Sequence, residues 1–272
     1  MSEQIRQNNI ERFTGFSDLY DQNRPKAPVD LIDILTMYLG RRPEVVADVG
    51  CGTGLSSFIW LERAKQIVGI EPNDDMRAVA INRWQEVGKP QQLQFVKGLS
   101  YELPLEASSV DLVTCSQSFH WMDPQPTLQE FARVLCPGGI FAAYDCDWPP
   151  VVSPELEQAY EELTKLADQR ASELSETGKE AYKWPKDQHL QQIRKSGLFR
   201  YSREIVFHHW EDCDADRYAN LALSQGGVQT ALKLGSDEIL TAAEHFRKQV
   251  KQGFGGERRR ILFGYRMRLG VK

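Results

Sequence analysis

The chain has 272 residues, 41% hydrophobic, 10% aromatic and 26% charged, with 33 Lys and Arg against 38 Asp and Glu for a formal net charge of -5. That length holds one large α/β domain or two small ones, with a sizeable core. A mean hydropathy of -0.47 and no 18-residue apolar run leave nothing to span a bilayer, and the acidic balance argues against a non-specific nucleic-acid binder, which needs a basic face to displace counterions from phosphates.

The opening MSEQIRQNNIERF is polar and has no apolar stretch of a secretory signal. Five cysteines (Cys51, Cys115, Cys136, Cys146, Cys213) form no Cys-x-x-Cys pair and no zinc spacing. A cytoplasmic protein with buried free thiols and no metal is expected. Val29–Leu39 carries Leu31, Ile32, Leu35, Tyr38 and Leu39 on one face and stops at Gly40, which predicts a helix. From residue 44 to 145, short apolar runs predict strands at Glu44–Val49, Gln66–Glu71, Leu93–Val96, Val110–Cys115 and Ile140–Tyr144. Between them, Leu55–Ala64, Asp74–Val87 and Thr127–Leu135 have apolar residues three and four apart, as helices do. Such alternation predicts right-handed βαβ units, hence an α/β fold with a mostly parallel sheet and helices on both faces.

Downstream the pattern changes. Pro154–Arg170 reads as a cap helix outside the sheet, and Leu190–Ile193 as a short helix closed by Ser196-Gly197. A strand at Tyr201–His209, a helical stretch over Asp214–Val250 and a last strand at Arg260–Leu269 follow, the two strands adding to one sheet edge. No Pro/Gly/Ser linker divides the chain, so 1–272 is expected to be a single domain. Its parts are an N-terminal cap arm (1–40), a core (41–147), cap helices (148–200 and 211–256) and the last two strands (201–210 and 259–270).

The informative stretch is Val45-Val46-Ala47-Asp48-Val49-Gly50-Cys51-Gly52-Thr53-Gly54, an apolar strand running into a glycine-rich turn that opens a helix. Glycines tolerate positive φ and let backbone approach a ligand, and the helix start offers free N–H donors. About 20 residues on, the second strand ends in Glu71, followed by Pro72, where a carboxylate accepts both hydroxyls of a ribose. An adenosine-type cofactor at the carboxyl ends of the first two strands is the expectation. A dinucleotide loop reads G-x-G-x-x-G, but here Leu55 stands at the third position, and the Gly-Lys-Ser/Thr end of a Walker loop is absent.

The spacing Asp48-x-Gly50-x-Gly52-x-Gly54 resembles motif I of class I S-adenosylmethionine-dependent methyltransferases. Gly69-Ile70-Glu71-Pro72-Asn73-Asp74-Asp75-Met76 is similar to that family's second motif, and Gly98-Leu99-Ser100-Tyr101-Glu102-Leu103-Pro104 to its loop after the third strand, departing at Leu99, where an acid is common. Val110-Asp111-Leu112-Val113, Arg133 to Gly139 (with Cys136 where Lys is common) and Ser196-Gly197-Leu198-Phe199 also fit. The resemblance implies a Rossmann-like class I methyltransferase fold, a seven-stranded mostly parallel sheet with a helical cap, and S-adenosylmethionine as cofactor. It places Asp48, Gly50, Cys51, Gly52, Thr53 and Gly54 around the methionine moiety, Glu71 and Pro72 at the ribose and Met76 on the adenine. Backbone groups of Leu99 and Ser100, or a shifted Glu102, are left to hold the adenine. Ser116 and Gln117 complete the implied cofactor contacts.

Phe13-Thr14-Gly15 with Tyr20 and Arg24-Pro25, the run Ser116 to Asp123 with its His120-Trp121 pair, and Tyr265 to Leu269 resemble small-molecule methyltransferases near the trans-aconitate methyltransferases. By that resemblance Tyr20 and Arg24 fold over the cofactor, Arg24 on its carboxylate. His120 either contacts cofactor or substrate or acts as general base toward a hydroxyl; a carboxylate acceptor needs no base. Trp121, Asp145 and Trp148 are expected at the acceptor. Asp147-Trp148-Pro149-Pro150 follows the wrong strand for an amino-group methylation motif, His208 and His209 read as strand residues, and Arg258 to Arg260 as a solvated turn. The expected activity is methyl transfer to a small molecule, more on oxygen than on nitrogen or carbon. Open alternatives are an RNA or protein acceptor and S-adenosylmethionine binding without turnover; Leu55 opposes a nicotinamide dehydrogenase. Neither the acceptor nor the oligomeric state is legible.

Overall fold

A computed structural model describes residues 2–11, 14, 25, 27–175 and 181–272. Seven strands form one sheet in the order β3-β2-β1-β4-β5-β7-β6. β1 (Val45–Val49), β2 (Gln66–Ile70), β3 (Leu93–Val96), β4 (Val110–Ser116) and β5 (Leu135–Cys146) run parallel. β7 (Arg259–Val271) enters antiparallel between β5 and the edge strand β6 (Tyr201–Cys213). The sequential order reverses between β1 and β4, which opens a crevice at their carboxyl ends.

β1 to β5 read as apolar runs because both faces are covered. Ala47, Val49, Val68, Ile70, Val113 and Phe141 pack with Leu128 and Phe131 of α5 (Pro124–Val134). Their neighbours Val46, Ile67, Leu112, Ile140 and Ala142 point the other way, onto Leu31, Ile32 and Leu35 of α2 (Val29–Leu39) and onto Trp60. This is the period-2 alternation of a strand, with an apolar partner on each side. A third core gathers α6 (Pro154–Leu174), α8 (Ala215–Leu223), α9 (Gly226–Lys233) and α10 (Asp237–Phe254) around Tyr160, Tyr218, Phe246 and Phe254, against Phe263 of β7. Among the described residues no helix is long and apolar enough to cross a membrane.

Three elements differ from the sequence pattern, each for a local reason. The helix predicted over Leu55–Ala64 is α3 (Leu55–Phe58) followed by i to i+3 turns through Arg63, because Glu62 takes a left-handed φ of 64°. The stretch Asp214–Val250 breaks into α8, α9 and α10. Asp214 caps the first by accepting from Arg217 N–H, Gly235 turns left-handed, and Ser236 caps the third by accepting from Ile239 N–H. β5 begins at Leu135, five residues before the predicted Ile140, and the register shift between Val110 and Leu112 of β4 absorbs Cys136 to Gly139 as a bulge.

Phe141 is fully buried, with Phe119 edge-on at 5.1 Å and Phe131 at 4.9 Å. Phe141→Ala is expected to lower unfolding free energy by about 3–5 kcal/mol in urea denaturation. Lys65→Ala, which removes an exposed pair with Glu44, is expected to change it by less than about 1 kcal/mol.

Candidate functional site

The crevice begins with the loop after β1. Gly50 and Cys51 N–H both donate to Ile70 O, at 2.8 and 3.2 Å, so the loop is fastened to the end of β2. Gly50 has φ +67°, and a Cβ there would lie 2.7 Å from Ser118 Cβ and 2.9 Å from Met122 Cε, so side-chain room as well as conformation requires glycine. Asp48 lies beneath the loop, outside the pocket wall. Its Oδ2 accepts from Ser56 and Ser57 hydroxyls at 2.6 and 2.7 Å and its Oδ1 from Thr114 at 3.0 Å, joining β1, α3 and β4. Burial pushes its pKa up, against the three hydroxyl donors.

Glu71 follows β2 and is almost fully buried. Oε2 accepts from Gly52 N–H at 2.9 Å and Oε1 from Asn73 N–H at 2.9 Å, and each oxygen keeps a lone pair for a further donor. Burial raises its pKa to about 7, against these two bonds and the nearby Arg77 guanidinium. Asn73 has a second task. Its Oδ1 caps α4 (Asp74–Glu86) through Met76 N–H, and its Nδ2 donates to Ile10 O and Thr14 Oγ1, tying α1 (Glu3–Glu11) to the mouth of the crevice. Thr53 Oγ1 is buried in the wall with no hydrogen-bond partner among the described residues.

Of the residues singled out in the sequence, Gly50, Cys51, Gly52, Thr53, Glu71, Pro72, Met76, Leu99, Ser100, Ser116, Gln117 and Trp121 line this pocket together. Glu102 does not; Ser100 Oγ is 2.8 Å from Thr127 Oγ1. Gly54 is also outside the lining: its φ of +84° turns the chain into α3 beside Phe95. His120 is a correction. It lies in the 3₁₀ turn Phe119–Trp121, which rotates it away from the pocket to face Asp145 while Trp121, with ring centroids 4.7 Å apart, takes the wall. Asp145 is buried beside it, and Trp148 stacks on Tyr160 in the cap core and donates Nε1–H to Gln117 Oε1 at 3.4 Å, so neither lines the pocket. Tyr20 and Arg24 lie outside the described residues.

The wall also holds residues that carried no motif. Arg6 pairs with Asp123 Oδ2 at 3.2 Å and sits 4.6 Å over the Tyr101 ring. Asn9 Nδ2 donates to Trp121 O and Tyr182 O, at 2.8 and 2.9 Å, and Ser118 Oγ donates to Val49 O at 2.8 Å. The one sequence signal was the polar Asn8-Asn9 pair inside a helix, both buried and hence in need of partners.

Residues 47–143 match a family described as a methyltransferase domain. The chain is 37% identical over 120 residues to the uncharacterised methyltransferase Rv3342 of Mycobacterium tuberculosis, covering 44% of this chain and 46% of that one. It is 31% identical over 176 residues to erythromycin 3''-O-methyltransferase of Saccharopolyspora erythraea, covering 61% and 56%. It spans about half the length of the curated relatives it matches. The YcgJ protein of Bacillus subtilis has the same fold, with a TM-score of 0.53 at 20% identity over 87% of this chain and 98% of that one. S-adenosylmethionine is the cofactor of such a domain. The pocket fits it by its near-buried carboxylate with spare lone pairs, its glycine-floored loop and its unpartnered Thr53 hydroxyl.

Gly50→Val is expected to abolish S-adenosylhomocysteine binding in calorimetry while the far-ultraviolet circular dichroism stays native. The Glu71 carboxylate accepts hydroxyls more strongly when ionised, and burial raises its pKa to about 7, so affinity is expected to fall severalfold, by at most about tenfold, from pH 8 to pH 6. Glu71→Gln flattens that dependence at a weaker affinity. Because the folded pKa is raised, the same ionisation opposes folding: this stabilising contribution is complete below about pH 4.5 and is lost as pH rises through 7.

Proposed function

We propose that the chain is an S-adenosylmethionine-dependent methyltransferase that methylates an oxygen of a small molecule, a carboxylate or a hydroxyl. The observation that carries the reading is Glu71, held at the end of β2 with both oxygens oriented by backbone N–H groups of the glycine loop and Asn73. In this reading Glu71 holds the ribose hydroxyls, Gly50 to Thr53 the methionine moiety, and Met76, Leu99 and Ser100 the adenine. When bound, S-adenosylmethionine supplies a methyl group on a sulfonium, already activated for in-line displacement.

What the chain contributes is position and dryness. Ser118, Trp121 and Met122 form the wall beyond β4, and Arg6 and Asn9 of α1 cover the mouth. The small-molecule reading is supported by that cover and by Arg6, the one basic side chain among the described pocket residues, whose charge Asp123 already takes up. An RNA acceptor would call for a free basic stripe instead. The oxygen reading is supported by the similarity to an O-methyltransferase and by the resemblance of residues 116–123 to the trans-aconitate methyltransferase group. In the same reading the cap arm and cap helices (1–40, 148–200 and 211–256) choose the acceptor, and the chain acts as a single cytoplasmic domain.

The reading is tested by calorimetry with S-adenosylmethionine, S-adenosylhomocysteine and NADH, followed by an acceptor screen that monitors S-adenosylhomocysteine release. Micromolar binding of the first two and none of NADH is expected; binding of NADH alone would overturn it. A carboxylate acceptor needs no proton removed, whereas a hydroxyl acceptor does, and His120, buried and turned from the pocket toward Asp145, does not supply that base.

A further inference from the structure

Behind the Trp121 wall lies a buried charge cluster that cofactor binding does not use. Asp145, at the end of β5, is 3% exposed and is met from four directions. Lys186 Nζ, in the 3₁₀ turn Lys186–Gln188, is 2.8 Å from Oδ1, and His120 Nδ1 is 3.4 Å from the same oxygen. Arg268 Nη1 of β7 and His189 Nδ1, the first residue of α7 (His189–Ser196), lie 3.5 and 3.7 Å from Oδ2. Arg268 also donates Nε–H to Glu204 Oε2 of β6 at 2.7 Å. The two imidazoles stack at 6.3 Å with 12° between their planes, and Phe119 stands edge-on to His189 at 4.9 Å. Lys183 acts on His120, and Asp187 on His189, at longer range.

Asp145 and Glu204 balance Lys186 and Arg268, and Arg266, 3.5 Å from Glu204 Oε1, is balanced by Asp147 at 2.9 Å, so the cluster is neutral when both imidazoles are uncharged. An imidazolium here would be a third cation against two carboxylates, in a place where burial already penalises charge. An ionised Asp145, 3.4 and 3.7 Å from the two Nδ1 atoms, favours the Nδ1–H tautomer of each ring by its charge, neither Nδ1 having a hydrogen-bond partner among the described residues.

We propose that Lys186 is a positioning residue that keeps His120 and His189 neutral, so that the wall formed by Trp121 turns no positive charge toward the pocket. Lys186 is placed for this by its own segment: Trp184 N–H donates to His120 O at 2.8 Å and Tyr182 N–H to Asn9 Oδ1 at 2.8 Å. The backbone that holds His120 therefore also delivers the cation that satisfies Asp145. The consequence for function rests on the methyltransferase reading, because a sulfonium ligand is repelled by an imidazolium one ring behind the wall, and a thioether ligand is not. Burial is the largest cause that lowers His120 to about 3 and His189 to about 4; Asp145 opposes it, Lys186 adds to it at both rings, and Arg268 adds more than Lys186 does at His189.

The test is imidazole ¹⁵N nuclear magnetic resonance, with the other three histidines assigned by His208→Gln, His209→Gln and His245→Gln. In the unmodified chain both buried rings are expected to stay neutral with Nδ1–H from pH 7.5 to 5.5. Lys186→Met leaves the cluster one negative charge in excess, and one ring is expected to take up a proton with a midpoint above about pH 6; Lys186→Arg keeps both neutral. Calorimetry at pH 6 on the same proteins is expected to show Lys186→Met binding S-adenosylmethionine severalfold more weakly relative to S-adenosylhomocysteine than the unmodified chain does. An imidazolium in the unmodified chain above pH 5.5 overturns the proposal even if Lys186→Met does not fold. So does a folded Lys186→Met with both rings neutral throughout, or an unchanged ratio of the two affinities. If neither adenosyl ligand binds while the rings behave as stated, the methyltransferase reading fails and the assignment of Lys186 to the imidazoles stands.

Discussion

The site depends on one buried carboxylate. Asp48 sits at the bottom of the switch point, where α3 leaves the sheet and β4 passes β1, and it accepts from Ser56, Ser57 and Thr114 at once. A buried charge is tolerable only when its lone pairs are filled, so Asp48 forces α3 to start with two serines over its oxygens and β4 to present a threonine. The turn between β1 and α3 is thereby drawn tight, and three glycines with positive φ are its cost. The backbone N–H groups that remain on the rim, above all Gly52, are then free to orient Glu71.

From that pin the cofactor side and the acceptor side are assembled by different means. The cofactor side is largely local: β1, the loop, the end of β2 and the cap of α4 follow one another in the chain, and Gly50, Cys51 and Gly52 bond to Ile70 and Glu71 within one βα unit, with Asp48–Thr114 as the longer tie to β4. The acceptor side is remote. Asn9 reaches across more than a hundred residues to the Trp121 carbonyl and still farther to Tyr182, and Arg6 reaches Asp123. Side-chain amides carry these ties, and they do so because the first helix is polar enough to need buried partners.

The polar groups behind the wall follow the same rule on a larger scale. Asp145 is held well below the usual carboxylate range, since Lys186 and His120 outweigh the upward push of its burial. Two cations and two carboxylates from four separate elements cancel there, and the imidazoles between them gain nothing by ionising. A pocket built for a positively charged ligand is better served by such a neutral backing than by any single charge near its wall.

The βαβ alternation, the parallel core strands, the glycine turn and the acid after the second strand were legible in the sequence, since all follow from short-range rules: apolar runs covered on both faces, positive φ at glycine, an acid one strand later. Gly50 to Thr53, Glu71, Pro72, Met76, Leu99, Ser100, Ser116 and Gln117, all singled out in the sequence, line one pocket. The length of α3, the breaks inside 214–250 and the bulge in β5 were decided by single residues whose effect depends on φ or on a strand partner. Tertiary structure alone decided which way the turn at residues 119–121 faces. His120 and Trp121 are adjacent, and a 3₁₀ turn sends neighbouring side chains in different directions, so whether the imidazole or the indole met the pocket was settled by where Asp145, Lys186 and His189 had already placed their charges and rings.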